Sequence, residues 1–443
     1  MQLLKDLYFK NRFFLLIGIN VLLFLLGFSF SFLVLIAKVC FIAHIGMFLI
    51  DLLMLFRVRS GVHAERKLAD KLSNGDKNEI WINLENRYKF NVDVIVIDEV
   101  PEQFQARDIQ FKTIIEGGKL KKIKYYLRPV KRGEYFFGKV NVFVSTKLGL
   151  IKKRYSFPIN KMVPVYPSYI QLRKYSLMAI SNRLQDYGIK QIRRLGHNME
   201  FDQIKDYIPG DDFRTINWKA TSRSNKLMVN QYQDERSQQV FSVIDKGRVM
   251  KMPFEGLSLM DYAINASLVI ANIAISKEDK AGLITFSNKI SNHVAPKKNK
   301  GQMRVISETL FNQKTGYRES DYEILYTHIK RNISQRSLII IYTNFETLAN
   351  LNNQIGYFRK IASLHLVVVI FFENTELKTM LESDARSVEE IYVKTIAEKF
   401  AFEKKQVVKE LQKYGIHAVL TAPKDLTVNT INKYLELKAR GMI

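Results

Sequence analysis

Cysteine is nearly absent: one residue in 443, at Cys40. No disulfide framework can form, which fits a reducing compartment. Histidine occurs seven times, scattered and without zinc-ligand spacing. No Gly-x-x-x-x-Gly-Lys-Ser/Thr loop is present, so the chain is not read as an ATPase. No Gly-x-Ser-x-Gly elbow is present either, which removes the commonest serine-hydrolase signature. Acidic residues are few beside basic ones, 43 against 68, for a formal net charge of +25. That surplus invites an anionic partner. No nucleic-acid-binding motif accompanies it, so no specific nucleic acid is expected.

What is present begins with an apolar run over residues 13–56. As helix, those residues would extend about 66 Å at ~1.5 Å each. That is roughly two bilayer cores of ~30 Å, so the run predicts a helical hairpin: 13–30, a turn at Ser29 and Ser31, then 32–56. Lys5, Lys10 and Arg12 precede it, and Arg57, Arg59, Arg66 and Lys67 follow it. Positive flanks on both sides put both ends in the cytoplasm. The expected location is therefore the cell inner membrane, with the soluble domains facing the cytoplasm. Lys38, His44 and Asp51 interrupt the second helix. Lys38 is expected to snorkel, Asp51 to lie at the near interface, and His44 to sit deep.

Residues 79–84, 90–97, 108–115, 121–128, 135–144 and 151–157 read as six short strands, rich in Val, Ile, Tyr and Phe,. They predict a β-sandwich-like domain over 61–165. Two prolines in 162–168 predict an extended linker,, and 171–184 a short helix. Region 166–238 is then linker plus the polar stretch Pro209, Gly210, Asp211, Asp212, Arg214, Trp218 and Arg223. Pro-Gly-Asp is a turn signal. Two uses of the stretch are open. In one, Arg214 and Arg223 bridge carboxylates and Trp218 is a buried anchor. In the other, Asp211, Asp212 and Arg214 form an acid–base site, with His197 the only histidine nearby.

From residue 239 near-continuous apolar strands alternate with amphipathic helices. Strands are expected at 240–245, 281–286, 337–343, 364–372 and 416–420. Helices are expected at 257–276, 301–311, 321–333, 348–362, 388–414 and 428–440. That alternation predicts an α/β doubly wound, Rossmann-like parallel sheet over 239–443. Ligands of such sheets bind outside the carboxyl ends of the strands, where Asp245 falls.

The combination resembles the bacterial domain-of-unknown-function 58 family. The resemblance rests on the hairpin, the β-rich region and the signature Pro209-Gly210-Asp211-Asp212-x-Arg214-x-Ile216-x-Trp218, followed by Arg223. It implies a C-terminal von Willebrand factor A-like domain and a MoxR-type AAA+ ATPase as partner. Domains of that type hold Mg²⁺ on Asp-x-Ser-x-Ser, a Thr and a later Asp. Here Asp245 is followed by Gly247 and Val249 where the serines would stand. Ser320 replaces the Thr and Asn344 the Asp, while Lys246 and Arg248 bring positive charge to the loop. The expectation is a degenerate site with no metal and no cofactor. Its cations could receive a partner's carboxylate or phosphate. The favoured function is a non-enzymatic, membrane-anchored interaction protein. The competing one is an enzyme using Asp211, Asp212 and Arg214 on a phosphate-bearing or envelope substrate.

Overall fold

The computed structural model describes residues 6–106, 109–180, 199–234, 237–382 and 387–443. His197, the residues beyond 180 of the helix expected at 171–184, and Asp108 lie outside them. The described chain forms two compact units, Met1–Ser168 and Tyr169–Ile443.

The first unit opens with a short strand, β1 (Leu7–Phe9), then an apolar hairpin, α1 (Asn11–Gly27) and α2 (Ser31–Phe56). Helix α2 is long and apolar enough to cross a membrane, and α1 is shorter. Ten strands follow: β2 (Val62–Lys67), β3 (Leu72–Ser73), β4 (Asn78–Asn86), β5 (Val92–Asp98), β6 (Gln110–Ile115), β7 (Leu120–Leu127), β8 (Gly133–Phe137), β9 (Val140–Ser145), β10 (Ile151–Phe157) and β11 (Lys161–Tyr166). They make a five-stranded sheet, β1-β10-β9-β5-β6, and two three-stranded sheets, β2-β4-β7 and β3-β11-β8. Alternate residues point inward, as the period of a strand requires. Val92, Val94 and Val96 meet Val140, Val142, Val144, Ile80, Ile82 and Leu84 in one core. Arg66 on β2 and Asp98 on β5 pair inside this core, and the Tyr125 hydroxyl on β7 also donates to Asp98.

Two expectations change here. The strand expected at 135–144 is two strands, because Gly138 and Lys139 turn the chain toward Glu99. The expected linker is β11: Val163 and Val165 are buried, and Pro164 sits in a ladder with β8.

Both feet of the hairpin are tied to the sheet. Strand β1 pairs with β10. Asp51, expected at the near membrane interface, is fully buried in the protein. Its oxygens accept from Thr146 Oγ1 at 2.5 Å, Leu150 N at 3.0 Å and Ile151 N at 3.1 Å. At the end of α2 the Leu55 carbonyl accepts from the Tyr88 hydroxyl at 2.8 Å, and the Val58 carbonyl from Lys153 Nζ at 2.9 Å. Gly61 makes room for this, since a Cβ there would overlap the Tyr88 ring at 2.1 Å. The open carbonyls of a helix end are thus satisfied by the sheet rather than by water. Lys38 is exposed, and His44 is buried against the Phe13 ring.

The second unit begins with α3 (Tyr169–Ile180), then a hairpin of β12 (Met199–Asp206) and β13 (Met228–Asp234) whose connection carries α4 (Trp218–Ser224). Its main sheet contains β14 (Gln239–Asp245), β17 (Lys280–Phe286), β18 (Ile290–Lys297), β19 (Leu338–Tyr342), β20 (Leu366–Phe372) and β21 (His417–Thr421), with a small hairpin, β15 (Pro253–Phe254) and β16 (Leu257–Ser258), between β14 and the next helix. The order is β18-β17-β14-β19-β20-β21. All neighbours are parallel except β18, an antiparallel edge strand absent from the sequence expectation. Its alternating exposure resembles a loop of polar residues, not a buried parallel strand. Helices α5 (Leu259–Ser276), α6 (Lys300–Phe311) and α11 (Leu426–Ala439) cover one face. Helices α7 (Tyr322–Asn332), α8 (Leu348–Ala362) and α10 (Val388–Lys413) cover the other, and α9 (Thr375–Glu382) precedes α10. Helix α5 is also apolar enough to cross a membrane, but most of it is buried core. The doubly wound expectation thus holds as an α/β sheet covered on both faces.

Candidate functional site at the carboxyl edge of the parallel sheet

After β14 the chain crosses to β17 on one side, then returns to β19 on the other. The switch point therefore lies between the ends of β14 and β19, where doubly wound sheets open a crevice. Asp245 ends β14 and is fully buried. Four protein groups donate to its carboxylate: Gly247 N–H at 2.7 Å, Thr343 Oγ1 at 2.7 Å, the Tyr322 hydroxyl at 3.2 Å, and the Ser320 hydroxyl. Burial pushes the Asp245 carboxyl above the usual carboxylate range, and these hydrogen bonds oppose that shift. Tyr322 is pushed well up in turn, first by burial and then by the Asp245 charge.

The residues present do not fit a divalent cation. A Cβ on Gly247 would stand 2.1 Å from Ser320 Oγ, so the Ser320 hydroxyl already fills the space a serine at 247 would need. Asn344 Oδ1 accepts from Lys404 Nζ at 3.2 Å, and that ammonium also donates to the Phe372 carbonyl. A lysine on α10 thus holds Asn344, the side chain expected in place of a metal-binding Asp. Burial lowers Lys404 to about 8, with Glu346 and Glu373 pulling it back up. Among the described residues no group of three or more His, Cys, Asp or Glu could hold a metal.

Outside this cage lies a cleft of about 150 Å³. Arg248, Glu319, Glu346, Asn350, Asn353 and Gln354 are among its walls. Arg248 faces Glu319 at 3.6 Å, both largely exposed. Lys246 does not join it: its ammonium donates to Ser291 Oγ at 3.1 Å on the β18 side. The expected two-cation loop is therefore split, with one arginine in the cleft. Lys246 continues the line of β14, while Arg248 begins a 3-10 turn over Arg248–Lys251, and that change of backbone parts the two.

The signature stretch connects β12 to β13. Gly210 takes φ +113, the positive value a Pro-Gly-Asp turn needs,. Asp211 accepts from Lys205 Nζ at 3.0 Å and Ile208 N at 3.1 Å. The Ile208 bond first, then Lys205, holds its carboxyl below the usual range. Asp212 caps the next turn by accepting from Arg214 N at 3.0 Å. Among the described residues Arg214 and Arg223 make no ion pair, so the expected bridges are absent from them. Trp218, expected as a buried anchor, is 70% exposed, and Phe213 is 72% exposed. The reason is local. Helix α4 is pinned by its polar side, through Asn217 Nδ2 to Asn230 Oδ1 at 2.8 Å and Met228 N to Thr221 Oγ1 at 3.0 Å. The indole is left pointing outward.

Residues 203–402 match the family described as Protein of unknown function DUF58. Among curated proteins, the uncharacterized protein YeaD of Bacillus subtilis (strain 168) is 26% identical over 209 residues, 44% of this chain and 50% of that protein. The match thus spans about half the length of that relative. Similar solved structures include the CARDB domain of the PF1109 protein from Pyrococcus furiosus, at 14% identity over 24% of this chain and 86% of that one, with a TM-score of 0.18. The ASH / PapD-like domain of human CEP192 is similar at 15% identity over 24% and 84%, with a TM-score of 0.18.

The DUF58 match takes in the signature turn, the Asp245 cage and the first half of α10. Sequence reasoning found Asp245, Ser320 and Asn344 there but missed Thr343, Tyr322 and Lys404. Thr343 and Tyr322 sit one and two residues from positions already singled out. Lys404, in the middle of a helix rich in lysine, carried no signal. The matched residues also expose Val388, Ile391, Tyr392 and Phe402 of α10, at 55–85%.

Proposed function

We propose that this chain is a non-enzymatic, membrane-anchored interaction protein whose sheet edge docks a partner, with a MoxR-type AAA+ ATPase as the partner class. The hairpin would be the anchor, with both feet on the cytoplasmic side, and the second unit a von Willebrand factor A-like domain. The observation that carries this reading is the Asp245 cage. At the switch point, the buried carboxylate is already taken up by four donors of the protein itself. What the cleft offers outward is Arg248 among carboxylates and amides, a surface suited to another protein rather than to bond-breaking. The exposed apolar side chains of α10 support the same reading.

The test is affinity capture of the detergent-solubilised full chain, read by mass spectrometry. The wild type and Lys246→Glu should recover a AAA+ ATPase, because Lys246 faces Ser291. Arg248→Glu should lose it. Retention by Arg248→Glu would remove the cleft from the docking surface, and recovery of no ATPase by any form would remove the partner class.

A further inference from the structure

The feet of the hairpin gather positive charge that the protein itself leaves poorly neutralised. Lys10 Nζ and Arg12 Nη1 lie 3.4 and 3.5 Å from the point where a Cβ of Gly149 would stand. The two cations are therefore no more than about 7 Å apart, with the bare backbone of Gly149 between them. Lys152 is a third: β1 and β10 pair Tyr8 with Lys152, and its charge is felt at Lys10. Lys147 stands exposed on the same loop as Gly149. Against these stands Asp93, whose carboxylate is 3.9 Å from Lys10. Asp51 is near enough to be felt, but its oxygens are held by Thr146, Leu150 and Ile151. Arg12 is exposed and makes no ion pair among the described residues.

The setting specifies the anion. Tyr8, Phe9, Phe14 and Leu148 are exposed at 38–60% around the same feet. An aromatic and apolar fringe beside cations is the composition of a bilayer interface. We propose that Lys10, Arg12 and Lys152, around Gly149, hold the phosphate of an anionic phospholipid headgroup. This rests on the membrane anchoring proposed above. A free phosphate would offer the same oxygens, but the apolar fringe gives it nothing further to bind. A phosphodiester carried on acyl chains uses both.

The full chain is reconstituted into vesicles of equal parts phosphatidylcholine and phosphatidylglycerol, released in mild detergent, and its bound lipid measured by native mass spectrometry. The wild type should retain phosphatidylglycerol over phosphatidylcholine. Arg12→Gln and Lys152→Gln should each reduce that preference by about fivefold, the effect of roughly one interfacial cation. Lys119→Gln, on the β6–β7 turn, with Lys121→Gln, at the start of β7, should leave it unchanged. Flotation with vesicles of phosphatidylcholine alone tests the anchoring separately. If all forms float and the lipid preference is absent, or is the same in every variant, anchoring stands and the headgroup site is overturned. Displacement of the bound lipid by millimolar inorganic phosphate would make it a free-phosphate site and also overturn the proposal. A wild type that floats with no vesicle removes both.

Discussion

At position 247 the missing side chain is what leaves room for the Ser320 hydroxyl beside Asp245. Gly247→Ser should therefore clash and destabilise the sheet edge by about 1–3 kcal/mol, the usual range for overpacking. Ser320→Ala in the same chain should recover part of that loss, because the new hydroxyl can then take the vacated place. Amide hydrogen exchange in β14 and β19 would measure both, and additive effects of the two substitutions would sink the argument. Lys404 makes a second residue-scale case. Its folded pKa is about 8, against 10.5 for the free group. Between those values the unfolded chain binds more protons than the folded one, so this group makes stability rise with pH across that window. The full swing across that window is on the order of 3–4 kcal/mol at about 1.4 kcal/mol per pH unit. Lys404→Met should flatten the rise between pH 8 and 10.5, and parallel profiles for the two proteins would contradict the assignment.

Elements show where a local pattern was enough and where it failed. The period of two in β5 and β9 and the apolar blocks of β14, β19 and β20 were legible because burial alone decides them. Strand β11 was hidden by its proline, which the ladder tolerates at Pro164,. Strand β18 was hidden because an edge strand exposes every second residue. Between the sheets of the first unit, Arg66 and Asp98 form a fully buried pair. Arg66 also donates to the Ile159 and Gly138 carbonyls at 3.1 and 2.9 Å. Asp98→Ala removes the guanidinium's carboxylate partner and leaves the Tyr125 hydroxyl without its acceptor. The expected cost is about 3–5 kcal/mol. The chain's two tryptophans divide between the units, with Trp81 on β4. In a Trp218→Phe background, Trp81 fluorescence isolates this unit, and an unchanged denaturation midpoint would mean the pair is not holding the sheets.

On the scale of the molecule, the sequence yielded the succession of hairpin, β-rich unit and doubly wound sheet, because each has its own hydrophobic period. It yielded less of the site, because most of the groups that surround Asp245 come from distant parts of the chain. Ser320 is 75 residues away, and Tyr322 and Thr343 are 77 and 98 away. The same separation in sequence has a meaning in time for the foot of α2. Asp51 is synthesised 99 and 100 residues before the Leu150 and Ile151 amides that hold it. At ~5–20 residues per second that is an interval on the order of 5–20 s. Until then the carboxylate has water as its donor. A nascent hairpin that entered a bilayer would do so with that charge still hydrated, and the charge would stop the helix from sliding further in. The sheet that closes over Asp51 afterwards would replace water with Thr146, Leu150 and Ile151, and so would turn a temporary stop into a permanent one.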